Sequence, residues 1–305
     1  MISNRSVSTI AFLALFWTAA CNVQAKDQNI LIGSIPGDQT AKQMLAIDPT
    51  ENVDFIRLRI ELNEGDRKFD LNATFGVGKP NTRDFENGGK SISAKGQLEI
   101  KDNRSYLVYR LFNDEAGIDL SLIRLNDCMF HVLSRDGRLM SGNGGWNYTL
   151  SRETETRSRS ESLPNGRKID ASSDPEIVVF VGRTPCVEIA RELKISVTDD
   201  CFKLKWKLTL RRDLSSRSPA TFTLQRTFRR PEPLEGNWRI VTGAGSAIYR
   251  LEGSDGSKMS FLRLDDSLLF LDNAGQLLKG NGEFGYTLDR QRNAAVPDMQ
   301  KAKME

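Results

Sequence analysis

The chain contains 305 residues, of which 39% are hydrophobic and 27% are charged, and its formal net charge is +3. This length favours two domains, and the composition is that of a globular protein whose sheets expose one face to water. The small net charge gives no basis for nucleic-acid binding, so an electrostatic function would have to come from local clusters of charge.

The N-terminus has the features of a secretory signal peptide over residues 1–25. Arg5 is followed by an apolar run from Ile10 to Ala20 and by a small-residue cleavage site at Val23-Gln24-Ala25. A charged start, an apolar run of about 7–15 residues and such a cleavage site are typical of these peptides. The run is shorter than the ~20 residues that cross a bilayer, so we expect export without a transmembrane helix.

The cysteines bear on both processing and pairing. Cys21 ends a Thr-Ala-Ala-Cys sequence that is similar to a bacterial lipobox, although its threonine replaces the usual aliphatic residue. Two outcomes stay open for Cys21, namely lipidation and removal with the signal peptide. Either outcome leaves Cys128, Cys186 and Cys201, an odd number that predicts at least one free or intermolecular thiol.

Residues 26–152 are predicted to form the first β unit, after a lead-in with weak helical patterning around residues 41–46. The run from Leu58 to Leu62 alternates apolar with charged residues, and a second alternating run extends from Phe69 to Phe75. Alternation with a period of two, interrupted by a turn, predicts a β-hairpin. Further strands are expected near 95–100, 105–112, 118–126, 128–134 and 145–151.

Two polar segments are predicted to lie outside the packed units. Residues 152–161 contain no apolar side chain, and such a stretch cannot bury enough surface to offset the entropy of ordering. We therefore interpret residues 153–175 as a linker and residues 291–305 as a polar tail.

Residues 176–290 are predicted to form the second β unit. Its first hairpin is predicted from two alternating runs, Leu193–Val197 and Phe202–Leu210. In this interpretation Trp206 lies on the inward face of the second strand, because it shares the phase of the other apolar residues in that run.

The second unit repeats the pattern of the first. Tyr109 and Tyr148 recur as Tyr249 and Tyr286 about 140 residues later, a period far longer than the roughly 20–50 residues of solenoid repeats, and Gly-Asn-Gly sequences recur between them. We therefore predict an all-β fold of two tandem small antiparallel meander barrels, each with seven or eight strands. A barrel of about eight strands is either filled by side chains or wide enough to hold one small ligand.

The sequence offers no set of residues typical of an enzyme active site. Gly280–Gly285 matches the G-x-G-x-x-G pattern of dinucleotide-binding proteins, but Tyr286 begins a predicted strand where that motif requires a helix. His131 is the only histidine, and we interpret it as a strand residue at a polar or edge position. Without a C-x-x-C or H-E-x-x-H motif, we expect a non-enzymatic protein with neither a cofactor nor a metal site.

Three lysines, Lys203, Lys205 and Lys207, alternate with the inward residues of a predicted strand. One interpretation is a basic surface for anionic lipid or another acidic partner. The other is a solvated strand face whose charges prevent aggregation. The sequence leaves both open.

Thr184, Pro185 and Cys186 form the most distinctive candidate site. A cysteine on a proline-bearing loop is a candidate reactive thiol or partner site, or else a small residue that fills the mouth of a barrel. Cys186 and Cys201 bracket a predicted strand and turn, which would place them beyond the ~7 Å between Cα atoms that a disulfide allows. We therefore predict that both thiols are free.

The second unit resembles the N-terminal domain of the NlpE copper-resistance lipoprotein family. The resemblance rests on short sequences in the same order: Gly182-Arg183-Thr184-Pro185-Cys186, then a hairpin, then Glu235-Gly236-Asn237-Trp238, Leu269-Phe270-Leu271-Asp272 and Tyr286-Thr287-Leu288. It covers about residues 180–290 and reaches the first unit only through the repeat. The family motif is Pro-Cys-x-x-Cys, and Ile189 stands here at the second cysteine, which argues against copper binding and thiol–disulfide sensing through that motif.

The resemblance implies a lipocalin-like barrel, a lipid anchor at an N-terminal cysteine, and a role in surface sensing and envelope stress. We therefore expect a bacterial envelope protein of the periplasm or outer membrane that binds or senses an envelope partner. The alternative is a lipocalin-like carrier that encloses a small apolar ligand, and a third hypothesis is a structural envelope protein. In each case we expect contact with the membrane only through a lipid anchor.

Overall fold

The computed structural model describes residues 29–103, 106–153, 174–193, 196–198, 200–227, 232–243 and 246–292. The predicted signal peptide with Cys21, and nearly all of the predicted linker and tail, lie outside these residues. The described chain forms two closed barrels of eight antiparallel strands each. The predicted all-β architecture of two tandem meander barrels is therefore confirmed.

Each barrel is a meander in which consecutive strands pair and the last strand pairs with the first. Barrel 1 contains β1 (Ile30–Pro36), β2 (Phe55–Asn63), β3 (Lys68–Gly76), β4 (Lys90–Asp102), β5 (Leu107–Asn113), β6 (Ile118–Arg124), β7 (Met129–Leu133) and β8 (Thr149–Arg152). Barrel 2 contains β9 (Ile177–Pro185), β10 (Lys203–Arg212), β11 (Pro219–Thr227), β12 (Leu234–Gly243), β13 (Ser246–Gly253), β14 (Lys258–Leu264), β15 (Ser267–Leu271) and β16 (Thr287–Arg290). Closure pairs every strand on both sides, which removes exposed sheet edges.

Alternating strand positions fill both barrel interiors with apolar side chains. In β10 the inward residues are Leu204, Trp206, Leu208 and Leu210, all of which are buried. The inward orientation predicted for Trp206 is therefore confirmed. Its indole Nε1 donates a hydrogen bond to Thr184 Oγ1 at 2.8 Å, so its polar group is satisfied inside the core.

The first strand of each barrel escaped prediction. The predicted strand at Leu193–Val197 is wrong, because residues 186–192 are helical and the described residues 196–198 are not in a strand. The hairpin partner of β10 is β9 instead. In β9 the outward-facing Val181 contacts barrel 1, so the strand is apolar on both faces and lacks the alternation on which the prediction relied.

Equivalent positions of the two barrels follow from the first strands. Gly33 and Gly182 occupy the same place, since an added Cβ atom would meet a leucine of the last strand, at 2.4 Å in barrel 1 and 2.8 Å in barrel 2. Counting from these glycines, Pro185 at the end of β9 is the counterpart of Pro36 at the end of β1. Both glycines allow close packing between the first and last strands, which closes the barrel.

A short helix follows the first strand of each barrel and covers the same end. The first, α1 (Gln39–Met44), begins after Asp38, whose side chain accepts a hydrogen bond from Ala41 N at 2.9 Å. The Tyr148 hydroxyl donates to the same carboxylate. The second, α2 (Cys186–Glu192), has no side-chain cap and is held by a disulfide at its first residue. Within the described residues, no helix is long and apolar enough to span a membrane.

The opposite end of each barrel is closed by repeated polar residues. In barrel 2, Asp174 Oδ1 lies 3.0 Å from Arg290 Nη1, and the Tyr249 hydroxyl donates a hydrogen bond to Asp174 at 3.4 Å. In barrel 1 the counterpart Tyr109 donates to Glu64, also at 3.4 Å. Tyr109 and Tyr249 therefore have a structural role, because each donates a hydrogen bond to a carboxylate at this end of its barrel.

The two barrels pack against each other through equivalent surfaces. A shared apolar cluster contains Leu125, Cys128 and Met129 of barrel 1 and Leu262, Leu264, Leu269 and Leu271 of barrel 2. The Gly-Asn-Gly sequences form two loops at this interface, which we name loop A (residues 142–147) and loop B (residues 280–285). A Cβ atom at Gly144 in loop A would lie 2.6 Å from Val181, and one at Gly282 in loop B would lie 2.9 Å from Ile32. Each loop thus packs on the first strand of the other barrel, which gives the interface approximate two-fold symmetry.

Candidate functional site

The predicted candidate site, Thr184, Pro185 and Cys186, lies at the end of β9 and the start of α2. Cys186 is bonded to Cys201, with their Cα atoms 5.7 Å apart, so the prediction of two free thiols is wrong. The error came from placing a straight strand between the cysteines. Pro185 lies opposite Lys203 in the β9–β10 pair, and the residues that flank this pair are therefore neighbours.

The same geometry makes this segment structural. Thr184 is fully buried and accepts the Trp206 hydrogen bond, and Cys186 is buried as well. Cys128 is the free cysteine of the described chain, and it lies in the apolar cluster that the barrels share. The structure therefore has no reactive thiol at residues 184–186, because Cys186 at the start of α2 is joined by the disulfide to Cys201, just before β10.

A cleft of about 280 Å³ opens between the two barrels, beside the β9–β10 pair. It is lined by six basic residues, Arg57, Lys79, Arg83, Arg183, Lys203 and Lys205, and by three acidic residues, Asp54, Asp84 and Glu283. The lining therefore carries an excess of positive charge that the small net charge of the chain does not reveal.

The cleft lies on the approximate two-fold axis between the barrels. Ser34 and Arg183 are equivalent, since each follows one of the two equivalent glycines. Phe55 and Lys203 are equivalent too, since each lies opposite the proline that ends its first strand. All four residues line the cleft, so the same positions supply serine and phenylalanine from barrel 1 but arginine and lysine from barrel 2.

Loops A and B each deliver an aromatic side chain to the cleft. Asn143 Oδ1 accepts hydrogen bonds from the backbone N–H groups two and three residues further on, at 2.9 and 3.0 Å. Asn281 Oδ1 makes the same pair of bonds in loop B, at 3.1 and 3.0 Å. These turns place Trp146 and Phe284 in the lining of the cleft. The repeated Gly-Asn-Gly sequence is thus a turn that positions the aromatic residue.

An aromatic stack forms the barrel 1 side of the cleft. The ring of Phe55 stacks on Phe85 at 4.2 Å and on Trp146 at 4.7 Å between centroids. The guanidinium carbon of Arg183 lies 5.1 Å from the centroid of Trp146, within the range of a cation–π interaction. Barrel 1 therefore holds in place the cation that barrel 2 contributes.

Three cations form the barrel 2 side of the cleft. Arg183 and Lys205 lie opposite each other in the β9–β10 pair, and Lys203 lies opposite Pro185. Burial lowers the pKa of Arg183 and of Lys203, and the charges of Arg183 and Lys205 lower the pKa of Lys203 further. None of the three forms a side-chain hydrogen bond or ion pair with any residue that the structure describes. Their repulsion is therefore incompletely compensated within the described chain.

The rim of the cleft is tied across the two barrels. Arg83 Nη1 lies 3.3 Å from Glu283 Oε2, and the Arg57 guanidinium donates a hydrogen bond to the Arg83 carbonyl at 2.5 Å. On the other strand of barrel 1, the Ser34 hydroxyl donates to the Gly282 carbonyl at 2.9 Å. These contacts use loop B and the 79–84 segment to frame the cleft.

Two buried titratable residues lie in the interface below the cleft. His131 is fully buried, with Nε2 2.7 Å from the Met140 carbonyl and Nδ1 3.3 Å from Thr149 Oγ1, so its predicted polar or edge position is wrong. Burial lowers its pKa to about 4. Thr149 Oγ1 in turn lies 3.0 Å from Thr287 Oγ1 of barrel 2. Asp289 is also buried, and burial raises its pKa to about 6 despite a hydrogen bond from Ser267 at 2.7 Å.

Part of this site was within reach of the sequence. The alternation of Lys203, Lys205 and Lys207 predicts a basic surface as one of two interpretations, and Lys203 and Lys205 line the cleft, whereas Lys207 does not. Phe55, Trp146 and Arg183 were missed as site residues, because their meeting depends on how the barrels pack. The signal that could have found them is the pair of Gly-Asn-Gly turns, each followed by an aromatic residue.

Comparison with protein-family models, with curated proteins and with solved structures finds no match for this chain. The resemblance to the lipoprotein family therefore stays a prediction. Among the residues that the structure describes, no group of three or more His, Cys, Asp and Glu side chains is arranged to hold a metal ion. The cleft does offer cations that have no partner in the described part of the chain and that lie beside aromatic rings, and this arrangement is suited to binding.

Proposed function

We propose that the protein is a non-enzymatic binding module of the bacterial cell envelope and that the cleft between its barrels is its binding site. The observation that carries this proposal is the cationic cluster of Arg183, Lys203 and Lys205 in a concave site between barrels. Arg183 and Lys203 are half-buried, and charged groups that lose water are normally paired, so a cluster without partners in the described chain favours a role in binding. Concave sites between packed units are also a common location of ligand sites.

The envelope assignment and a sensing role rest on the sequence. The signal-peptide pattern at residues 1–25 indicates export, and the NlpE-like order of motifs over about residues 180–290 suggests envelope-stress or surface sensing. The Cys186–Cys201 disulfide is in keeping with an oxidising compartment. A cleft shared by two barrels would let a ligand change how they pack, which is a physical route from binding to a signal.

The carrier hypothesis draws less support from the barrel interiors. Among the largest fully buried side chains are four tyrosines, Tyr109, Tyr148, Tyr249 and Tyr286. These side chains occupy space that a carrier would keep for its ligand. A larger cavity of about 400 Å³ opens on barrel 2 beside Ile189 and Trp238, so it is the clustered cations, and not the volume, that make the cleft outside the barrels the better candidate for a binding site.

Thermal unfolding in the presence of low-mass fractions from the native envelope tests the proposal. At least one fraction should raise the Tm of the wild-type protein, because a ligand of the folded state stabilises it. Thr82→Trp, which adds bulk to the cleft lining without changing charge, should abolish the shift. Ser254→Trp, at an exposed turn of barrel 2, should leave it intact.

Two outcomes would contradict the proposal. One is that no fraction stabilises the wild-type protein. The other is that Thr82→Trp responds as fully as Ser254→Trp, which would move binding away from the cleft and favour the carrier hypothesis. For the sensing role, a strain that carries Thr82→Trp should lose the response of an envelope-stress reporter while the protein stays at its normal level.

A further inference from the structure

We infer that the cleft between the barrels binds a small organic anion, one whose carboxylate, phosphate or sulfonate group is held by Arg183, Lys203 and Lys205 and whose apolar part lies against Phe284 and Trp146. This inference rests on the proposed function and adds the chemical class of the ligand.

Three of the six cations that line the cleft, Arg183, Lys203 and Lys205, lie together on the barrel 2 wall. Arg183 and Lys205 are opposite residues on adjacent antiparallel strands, and side chains at such positions are close neighbours. Like charges at directly opposite positions destabilise a strand pair. An anion between them would remove the repulsion and would accept hydrogen bonds from both, which are stronger than neutral hydrogen bonds.

Two of the three cations, Arg183 and Lys203, are held in position before any ligand arrives. Arg183 lies over the ring of Trp146 at 5.1 Å, and Lys203 Nζ lies 4.7 Å from the centroid of Phe202 and 6.0 Å from that of Phe284. These aromatic contacts hold the charged groups in place and leave their charge intact. A carboxylate in the same position would neutralise it. The donors of the cluster therefore stay available for an anion, and their ordering cost is already met in part.

Two of the three acidic residues of the lining, Glu283 and Asp54, are engaged elsewhere. Glu283 pairs with Arg83 at 3.3 Å on the rim, and Asp54 accepts a hydrogen bond from Gly78 N at 2.8 Å. Asp54 does raise the pKa of Arg183, but burial has the larger, opposite effect. An anion at the cationic wall would thus meet cations that form no ion pair with a carboxylate of the described chain.

The size and lining of the cleft indicate the rest of the ligand. A space of about 280 Å³ is at the lower end of small-molecule sites, which are typically about 300–1,000 Å³. Phe284 and Trp146 reach it from the two loops, so an apolar group beside the anion would be covered from both barrels. A small organic anion fits this space, whereas a long polyanion would use only a fraction of its charge there.

Isothermal titration calorimetry with a matched set of probes tests the inference. Phenyl phosphate and benzoate should bind, while phenol and benzylamine, which have the ring without the negative charge, should bind at least about tenfold more weakly. Inorganic phosphate should also bind more weakly than phenyl phosphate, because it lacks the apolar part. Affinity should fall with added salt.

Matched variants assign the site. Lys205→Ser and Lys207→Ser each remove one exposed positive charge from the same face of β10, but only Lys205 lines the cleft. Lys205→Ser should weaken phenyl phosphate binding several-fold, and Lys207→Ser should leave it within about twofold. Arg183→Ser, which installs the residue of barrel 1, should weaken binding at least about tenfold, with the Tm checking that the protein folds.

Several results would overturn the inference. They are equal binding of phenol, equal binding of inorganic phosphate, equal effects of Lys205→Ser and Lys207→Ser, absence of binding by both organic anions, and tight binding of a heparin chain without binding of phenyl phosphate. Stabilisation of the wild-type protein by a neutral envelope compound, abolished by Thr82→Trp, would overturn the anionic class and leave the proposed binding function standing.

Discussion

The two barrels hold the same helix-covered end by different chemistry. In barrel 1 the Tyr148 hydroxyl donates to the Asp38 carboxylate that caps α1, and burial raises the pKa of Tyr148, which keeps it a neutral donor. In barrel 2 the Cys186–Cys201 disulfide joins the start of α2 to the segment just before β10. The fold requires that this helix be fixed to the strands, but either a hydrogen bond or a covalent bond meets the requirement.

A second contrast is between equivalent positions that keep the same chemistry in both barrels and equivalent positions that do not. The buried tyrosines Tyr109 and Tyr249 keep their chemistry in both copies, and both donate to a carboxylate. Phe55 and its counterpart Lys203 share a backbone position but differ in charge. Equivalent positions that carry the same residue type therefore belong to the barrel framework. Equivalent positions that carry different residue types across the cleft show which side chains each barrel contributes to it.

The largest expected effect contrasts the interiors at Trp206 and its counterpart Leu58, both of which lie opposite the equivalent glycines. Trp206→Ala should lower the free energy of unfolding of barrel 2 by about 3–5 kcal/mol, and Leu58→Ala should lower that of barrel 1 by about 2–5 kcal/mol. Urea denaturation followed by circular dichroism measures both. Lys207→Ala, at an exposed position of the same strand as Trp206, should change stability by less than about 0.5 kcal/mol. Effects of similar size for Trp206→Ala and Lys207→Ala would show that Trp206 is not in the core.

The disulfide should make barrel 2 alone sensitive to reduction. The bond closes a loop with a sequence separation of 15 residues, and loops of that length gain about 3 kcal/mol from closure. Reductant should therefore lower the unfolding free energy of barrel 2, and the double variant Cys186→Ala/Cys201→Ala should show the same loss without reductant. Reductant should not affect the double variant further. If reductant destabilises the double variant further, or if barrel 1 loses stability instead of barrel 2, the Cys186–Cys201 disulfide is not the source of the effect.

Asp289 should make stability depend on pH with the sign of a buried acid. Its counterpart in barrel 1 is Ser151, which accepts a hydrogen bond from Gly280 N at 3.0 Å. Burial raises the pKa of Asp289 from 3.8 to about 6, so the folded protein binds more protons than the unfolded chain between these values. The contribution of Asp289 to stability is full below pH 4 and is lost as the pH rises to 6, by at most about 3 kcal/mol. Urea unfolding of Asp289→Asn across this range should not show that loss.

His131 provides the matched control, because its pKa shifts the other way. Burial lowers its pKa from 6.5 to about 4, so its contribution is full above pH 6.5 and is lost as the pH falls towards 4. His131→Leu, which installs the residue of barrel 2 at the equivalent position, Leu269, should remove this loss. The unfolding free energy of His131→Leu should therefore rise relative to that of the wild type as the pH falls from 6.5 towards 4. For Asp289→Asn the corresponding rise should occur as the pH increases from 4 to 6. If the two variants show the same pH dependence, the pKa shift assigned to Asp289 or the one assigned to His131 is wrong.

The sequence was informative wherever one face of a strand meets water. Alternation in β2 and β10 predicted inward residues such as Trp206, and the recurrence of Tyr109 as Tyr249 predicted the two barrels. The sequence did not predict β1 and β9. In these strands the outward-facing Ile32 and Val181 contact the other barrel, so apolar and polar residues do not alternate. The disulfide was missed for a related reason, because the run at 193–197 was interpreted as a strand.

The candidate site was the part least open to prediction. The sequence shows the basic residues Lys203 and Lys205, but the other side of the cleft comes from barrel 1, and no local pattern indicates that Trp146 and Arg183 meet. Packing between barrels is fixed by many weak contacts of distant residues, which a single sequence does not display. Only the doubled Gly-Asn-Gly turn gave a hint, since its glycines serve the interface and its asparagine orients the aromatic residue.

The smallest expected effect separates backbone strain from contact between the barrels. Gly144 and Gly282 have positive φ angles of 77° and 87° and approach the other barrel, whereas Gly137 and Gly275 have φ angles of 74° and 79° with nothing within 4 Å of an added Cβ atom. Alanine at any of the four costs about 1–2 kcal/mol of backbone strain. At Gly144 and Gly282 the new methyl group should also clash with β9 or β1, which adds about 1 kcal/mol or more and should weaken ligand binding in the cleft. Chemical denaturation of the four variants measures the difference. Equal losses at all four glycines would mean that the loops do not pack between the barrels in solution.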